Sequence, residues 1–249
     1  MEELELLVKL HLENERQGPG SQETTLKALA FTSLENSSSL KVADIGCGTG
    51  APTITLASHL EGHITAIDLF PQFLDQLENR AKYQKLDHKI TGKAVSMEEL
   101  PFQENELDLI WSEGAIYNIG FEKGVKDWKK YLKDGGILAV SEITWLSYDR
   151  PQAINEYWQT NYPQIATASE KIKILEENSY KILGYFPLPE SCWLENYYGP
   201  LQDRFDAFLE TEGNSDIAQS IITREKEEIQ LYENYKKYFS YGFYIAQKI

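Results

Sequence analysis

The chain has 249 residues, and 24 Lys and Arg against 39 Asp and Glu leave a formal net charge of −15. With 42% hydrophobic and 25% charged residues it can bury a core, which excludes a disordered chain. A pI near 4.8 argues against non-specific attraction to nucleic acid or to an anionic membrane, since both carry the same sign of charge. The two cysteines, Cys47 and Cys192, exclude a disulfide framework and a four-cysteine zinc site. His11, His59, His63 and His88 show no metal-ligand spacing, so no metal is expected. The acidic, amphipathic start MEELELLVKLHLENERQG is unlike a signal peptide. No run approaches the ~18 apolar residues that cross a bilayer. A cytoplasmic protein without membrane insertion is the expectation.

Leu4, Leu7, Val8 and Leu12 recur at helical spacing, and the helix breaks at Gly18-Pro19-Gly20. Ser21 then has the position of an N-cap for a second helix carrying Leu26, Leu29 and Ala30. Glu35–Ser39 reads as a polar loop. From there, short apolar runs alternate with helical stretches. Strands are predicted at Leu40–Ile45, His63–Asp68, Ile90–Val95, Leu107–Ser112 and Gly136–Ile143, with helices near Ala51–Leu60, Pro71–Tyr83 and Gly120–Leu132. Runs that are apolar on both faces predict a parallel sheet covered by helices. Beyond Ile143 aromatics become dense. Trp145–Tyr162 reads as irregular, Ile165–Asn178 as a helix, Tyr180–Leu188 as a strand, then a long helical region to about Lys237 and a last strand at Phe239–Gln247. The mixed-charge run Arg224–Glu228 reads as a solvated helix face.

The chemistry concentrates in Lys41-Val-Ala-Asp44-Ile-Gly46-Cys-Gly48-Thr-Gly50-Ala-Pro52. A strand, a glycine-rich turn and a helix with proline in its first turn follow one another. Such a turn lets a ligand approach the backbone and its N–H groups, and the helix N-terminus favours an anionic group. Asp68 ends the next strand, where a carboxylate can accept from both hydroxyls of a ribose. The pattern suits a nucleoside cofactor. Gly46, Gly48 and Ala51 also satisfy the dinucleotide fingerprint, which keeps an NAD(P)-dependent oxidoreductase open.

The wider pattern Asp44-Ile-Gly46-Cys47-Gly48-Thr-Gly50 resembles the first motif of the class I S-adenosylmethionine-dependent methyltransferases. Ser96-Met97-Glu98-Glu99-Leu100-Pro101-Phe102, followed by Leu107-Asp-Leu-Ile110, is similar to that family's adenine-side loop and fourth strand, and Gly135-Gly136-Ile-Leu138 to its turn into the fifth. The resemblance spans about residues 40 to 143 and is nearest the small-molecule branch that includes the ubiquinone and menaquinone biosynthesis enzymes. It implies a doubly wound α/β fold, a seven-stranded mostly parallel sheet in the order 3-2-1-4-5-7-6. It also implies a helical arm at 1–39, a methyltransferase domain at 40–249 and a lid insertion at 145–162. The cofactor implied is S-adenosylmethionine, contacted by Gly20 and Ser21 of the arm, by Asp44, Gly46, Cys47, Gly48 and Gly50, by Asp68 and Leu69, and by Ser96 and Met97. Many relatives carry Asp where this chain has Ser96, which accepts a hydrogen bond without a charge.

Glu113 and Tyr117 follow the fourth strand at the mouth of the expected crevice, where α/β sites are built. Glu113 is read as a ligand of the cofactor's amino group or as a base, and Tyr117 as a wall of the transfer channel. Glu142 has a weaker claim. Cys47 reads as an apolar filler and His11 as a packed helix residue. The late aromatics Trp145, Tyr148, Tyr157, Trp158, Trp193, Tyr197 and Tyr198 offer a roof over an apolar or aromatic acceptor. The expected activity is methyl transfer to a small molecule, with an oxidoreductase or a non-catalytic cofactor-binding protein as alternatives. A homodimer is expected, and no nucleic acid.

Overall fold

The computed structural model describes residues 2–34 and 37–249. The expected loop at 35–39 therefore lies partly outside the described residues. Helices α1 (Glu2–His11) and α2 (Gln22–Ala30) precede β1 (Leu40–Ile45), α3 (Ala51–His59), β2 (Gly62–Asp68), α4 (Pro71–Tyr83), β3 (Ile90–Ala94), β4 (Leu107–Glu113), α5 (Phe121–Lys129) and β5 (Leu132–Trp145). There follow α6 (Gln152–Asn161), β6 (Ala166–Thr167), α7 (Ala168–Glu177), β7 (Tyr180–Pro187), the short helices α8 (Glu190–Trp193), α9 (Gly199–Gln202) and α10 (Phe205–Thr211), then α11 (Asp216–Tyr235) and β8 (Phe239–Lys248).

The sheet runs β3-β2-β1-β4-β5-β8-β7, with β6 paired to β5 beside that path. Setting the two-residue β6 aside, this is the expected order. β8 runs antiparallel to both β5 and β7, whereas β1 to β5 pair in parallel. One core packs α1, α2, α3 and the α8–α11 region on one face, through Leu10, Leu29, Leu56, Trp193 and Tyr232. The other packs α5 and α7 through Phe121, Trp128 and Leu175. Each buried Trp111 or Trp128 side chain contributes at least about 2–3 kcal/mol of hydrophobic stabilisation.

Four elements differ from the sequence reading. β3 is an exposed edge over Thr91–Ala94 rather than apolar on both faces, because no strand lies beyond it. Trp145 belongs to β5, buried opposite Phe239 of β8, so the insertion starts after it. The irregular stretch contains α6, which buries Ile154 and sets Trp158 edge-on to Phe239 at 5.3 Å. The long helical region is broken into α8, a π-helical turn at Leu194–Tyr198, α9, α10 and α11. Among the described residues, no helix is long and apolar enough to cross a membrane.

Candidate active site

The carboxyl ends of β1, β2 and β4 open into a cleft of about 530 Å³. Its floor is the turn after β1. Gly46 and Gly48 hold φ of 72° and 55°, the left-handed region that glycine adopts freely. A Cβ on Gly46 would lie 2.3 Å from that of Ala115, and one on Gly48 2.1 Å from Oε1 of Gln17. Gly50 does not line the cleft. A Cβ there would strike Leu77 at 2.2 Å, so this glycine lets α3 begin tight against α4.

The N–H groups of the turn are not exposed, contrary to the sequence reading. Gly46 and Cys47 donate to the Ile67 carbonyl at 2.8 and 3.0 Å, Gly48 to Oδ2 of Asp68 at 2.9 Å, and Thr49 to Oε1 of Gln17 at 2.8 Å. The turn shapes the cleft by leaving room, not by presenting donors. Cys47 reaches the cleft wall, yet its thiol packs with Ile54, Ala66 and Leu77, and burial raises its pKa well above the ordinary value.

Three carboxylates surround this floor. Asp68 lines the cleft, and its Oδ1 accepts from the Phe70 N–H at 3.0 Å. Each carboxylate oxygen accepts one backbone bond and retains a lone pair, enough for two ribose hydroxyls. Burial raises its pKa despite those bonds. Asp44 lies beneath the turn, fully buried and outside the cleft lining. Its Oδ2 accepts from Thr53 at 2.6 Å while Oδ1 has no partner, and burial lifts its pKa to about 7. Glu113 lines the cleft, and its carboxylate accepts from Arg16 at 2.8 Å, Thr25 at 2.6 Å and Trp111 at 2.9 Å. A carboxylate so occupied is a poor base, since protonation would leave the buried Arg16 guanidinium unpaired. The geometry makes it an anchor.

Arg16 is the important residue that the sequence reading missed. Its signal is slight: the only arginine of an otherwise acidic arm, just before the Gly-Pro-Gly break. The arm lines the cleft with Leu4 and residues 15–19 instead of Gly20 and Ser21. Ser21 caps α2, accepting from the Thr24 N–H at 3.0 Å. A Cβ on Gly20 would sit 2.5 Å from Nη1 of Arg16, so glycine is needed to let the Arg16–Glu113 pair form. The arm is latched to the floor. Gln17 donates to Thr49 Oγ1 at 3.0 Å, and Arg80 of α4 donates to the Asn14 and Glu15 carbonyls at 2.9 and 3.0 Å.

Leu69, 60% exposed, lines the cleft beside Asp68, and Ser96 and Met97 line its opposite wall. Trp128 holds that wall by donating to the Met97 carbonyl at 3.0 Å, while Ser96 Oγ accepts from the Glu98 N–H. Tyr117 lines the inner end, and burial raises its phenol, which stays protonated. Glu142 does not line the cleft. It is buried in an ion pair with Lys171 at 2.9 Å. The charge pattern suits a cationic nucleoside ligand: an acidic lining, an orphaned Asp44 oxygen and no unengaged donors from Gly46 to Thr49. A pyrophosphate would meet Asp68 and Glu113, with Asp44 beneath the turn, and find none of those amides free.

Comparisons with known proteins agree. Residues 42–136 match the model of a family described as methyltransferase domain. Over those residues the chain is similar to that family, and its fold is the methyltransferase fold. The chain is 26% identical over 183 residues to the chloroplastic tocopherol O-methyltransferase of Arabidopsis thaliana, covering 72% of this chain and 48% of that protein. It is 33% identical over 106 residues to the demethylmenaquinone methyltransferase of Tropheryma whipplei, covering 42% of each. The chain thus spans about half the length or less of these curated relatives. A methyltransferase of Geobacter sulfurreducens, solved in complex with S-adenosyl-L-homocysteine, superposes with a TM-score of 0.85 over 98% of both chains at 16% identity.

Proposed function

We propose that the protein transfers a methyl group from S-adenosylmethionine to a small-molecule acceptor by direct displacement. The observation that carries this reading is the acidic, donor-poor cleft over the glycine turn, which matches a sulfonium amino acid better than a dinucleotide. The class I methyltransferase fold, and a relative solved with S-adenosyl-L-homocysteine, support the same cofactor. Asp68 accepts from the ribose, Leu69 and Met97 flank the base, and Ser96 offers a hydroxyl at its edge. Glu113, backed by Asp44, supplies negative potential for the amino-acid end, and Arg16 lies where it can meet the carboxylate.

When bound, S-adenosylmethionine supplies an activated methyl group and a neutral thioether as leaving group. The protein's part is alignment and the exclusion of water. The latch of Gln17, Thr49 and Arg80 holds the arm over the cofactor, so residues 1–39 act as a cover. The stretch 146–162 acts as a lid through Tyr162, whose ring meets Tyr117 edge-on at 6.1 Å. With Glu113 engaged by three donors, no base is assigned. The tyrosines at the inner end suit an acceptor with an aromatic or apolar body.

Equilibrium titration with S-adenosylhomocysteine and with NADH tests the reading. Micromolar binding of the former is expected, at about −8 kcal/mol or better. Absence of that binding, or a preference of about a hundredfold for NADH, rejects it. A non-catalytic protein would bind the first ligand yet show no turnover with any acceptor.

A further inference from the structure

We propose that residues 13–19 form a strap that must lift for S-adenosylmethionine to enter and S-adenosylhomocysteine to leave, and that Arg80, outside the cleft, sets how fast it lifts. The proposal rests on the methyl-transfer reading and adds the control of exchange at that same site. The strap crosses the cleft between two strand ends. Gln17 lies on the turn after β1, exchanging hydrogen bonds with Thr49 at 2.8 and 3.0 Å. Arg16, the next residue, reaches Glu113 at the end of β4, and both residues line the cleft.

The strap is pinned at both ends and lightly held between them. Before it, α1 buries Leu6 and Leu10 in the core, and Arg204 donates to the Leu10 carbonyl at 3.2 Å. After it, Asn196 donates to the Gly20 carbonyl at 3.0 Å, and α2 buries Ala28 and Leu29. Residues 13–17 are polar at every position, so hydrogen bonds hold them in place of a buried apolar face. Such a segment opens locally without exposing the core. At Gly18 a Cβ would meet nothing within 4 Å, which leaves the chain room to swing.

Arg80 of α4 is the clasp. Its guanidinium donates to the carbonyls of Asn14 at 2.9 Å and Glu15 at 3.0 Å on the strap, and to that of Thr49 at 3.2 Å on the floor. One planar fork thus ties strap to floor through charge-assisted bonds, the strong kind. Arg80 does not line the cleft, so it acts on a ligand only through the strap. An opposing cost lies beside it. Nδ2 of Asn14 is buried without a partner, a desolvated amide that lifting the strap returns to water. A clasp that favours the closed strap equally over an empty and a filled cleft alters rates and not affinity, because only a differential interaction shifts a binding equilibrium. Loosening it therefore speeds entry and exit together.

Stopped-flow tryptophan fluorescence with S-adenosylhomocysteine reads both rate constants, since Trp111 is bonded to Glu113 at the cleft. Arg80→Met should raise association and dissociation by about tenfold or more each, with Kd within about threefold of the unaltered protein. Arg80→Lys, which keeps the charge without the fork, should fall between. Gly18→Ala, which narrows the backbone freedom of the open strap, should slow both rates by about two- to fivefold. Unchanged rates in Arg80→Met, or faster dissociation without faster association, overturns the proposal. Loss of fold cannot imitate the expected result, because a destabilised protein does not bind faster, and urea unfolding of each variant checks this. Should Arg80→Met not fold, Gly18→Ala decides, and unchanged rates there overturn the proposal. Failure of S-adenosylhomocysteine to bind the unaltered protein overturns the methyl-transfer reading itself, a result distinct from binding at unchanged rates.

Discussion

The two ends of the cleft are made in different ways. The glycine-turn end comes from short contiguous segments at the carboxyl ends of neighbouring parallel strands: Gly46–Gly48, Asp68 and Leu69, Ser96 and Met97, and Glu113. The other end draws Leu4, Arg16 and Gln17 from the N-terminal arm and Tyr117 from the segment after β4. The first needs only that strands pair in a given order, so its chemistry is written locally. The second exists only once the arm has folded back over the strand ends, where Gln17 and Arg80 hold it. One sheet can thus keep one pocket while the segment that covers it varies.

That contrast can be broken by experiment, starting from the two buried ion pairs, of which only Arg16–Glu113 belongs to the cleft. Arg16→Met leaves Glu113 buried without its cation, and Lys171→Met does the same to Glu142. Each should cost about 3–5 kcal/mol in urea unfolding, and the double variants Arg16→Met/Glu113→Gln and Lys171→Met/Glu142→Gln should recover most of it. A loss below about 1 kcal/mol for Arg16→Met would mean the arm is not coupled to the strand ends.

Next in size is a pH effect on α11, away from the cleft lining. Burial raises Glu225 from 4.5 to about 7, so its contribution to stability is fully present below about 4.5 and is lost as pH rises through about 7. Glu225→Gln removes that loss. The variant should gain on the wild type between pH 5 and pH 8 by an amount of the order of 3 kcal/mol, measured by denaturant unfolding at both. A constant difference across that range would place Glu225 in bulk solvent.

At the turn end, Asp68→Ala should weaken S-adenosylhomocysteine binding by more than about tenfold, the loss of charge-assisted bonds worth ~1.5–3 kcal/mol each. Unchanged affinity in calorimetry would remove Asp68 from the site. The smallest effect separates a cap from a contact. Ser21→Ala should cost about 1 kcal/mol of stability as a lost N-cap and leave S-adenosylhomocysteine affinity within about twofold. A larger affinity loss would return Ser21 to the cofactor.

The strands were readable because apolar runs of strand length are punctuated by glycine turns and helical periods, whereas their order came from the resemblance carried by Asp44–Gly50. Less readable was α6, whose one fully buried side chain is Ile154 and whose position depends on Trp158 meeting Phe239 far along the chain. Glu113 was visible as a site residue but not as an anchor, because its three donors come from the arm, α2 and its own strand. Gly20 and Gly50 were read as cofactor contacts, whereas each makes room for a side chain, Arg16 in one case and Leu77 in the other.

By itself the sequence determined the sheet, the glycine turn and the carboxylate that faces it, since backbone conformation and alternating burial are properties of neighbours along the chain. Tertiary structure alone decided which donors the turn would spend internally, that Arg16 would close on Glu113, and that Glu225 of a charged run would be largely buried. Those outcomes depend on distances between residues far apart in sequence, and a charge shows its partner only after packing has removed the water around it.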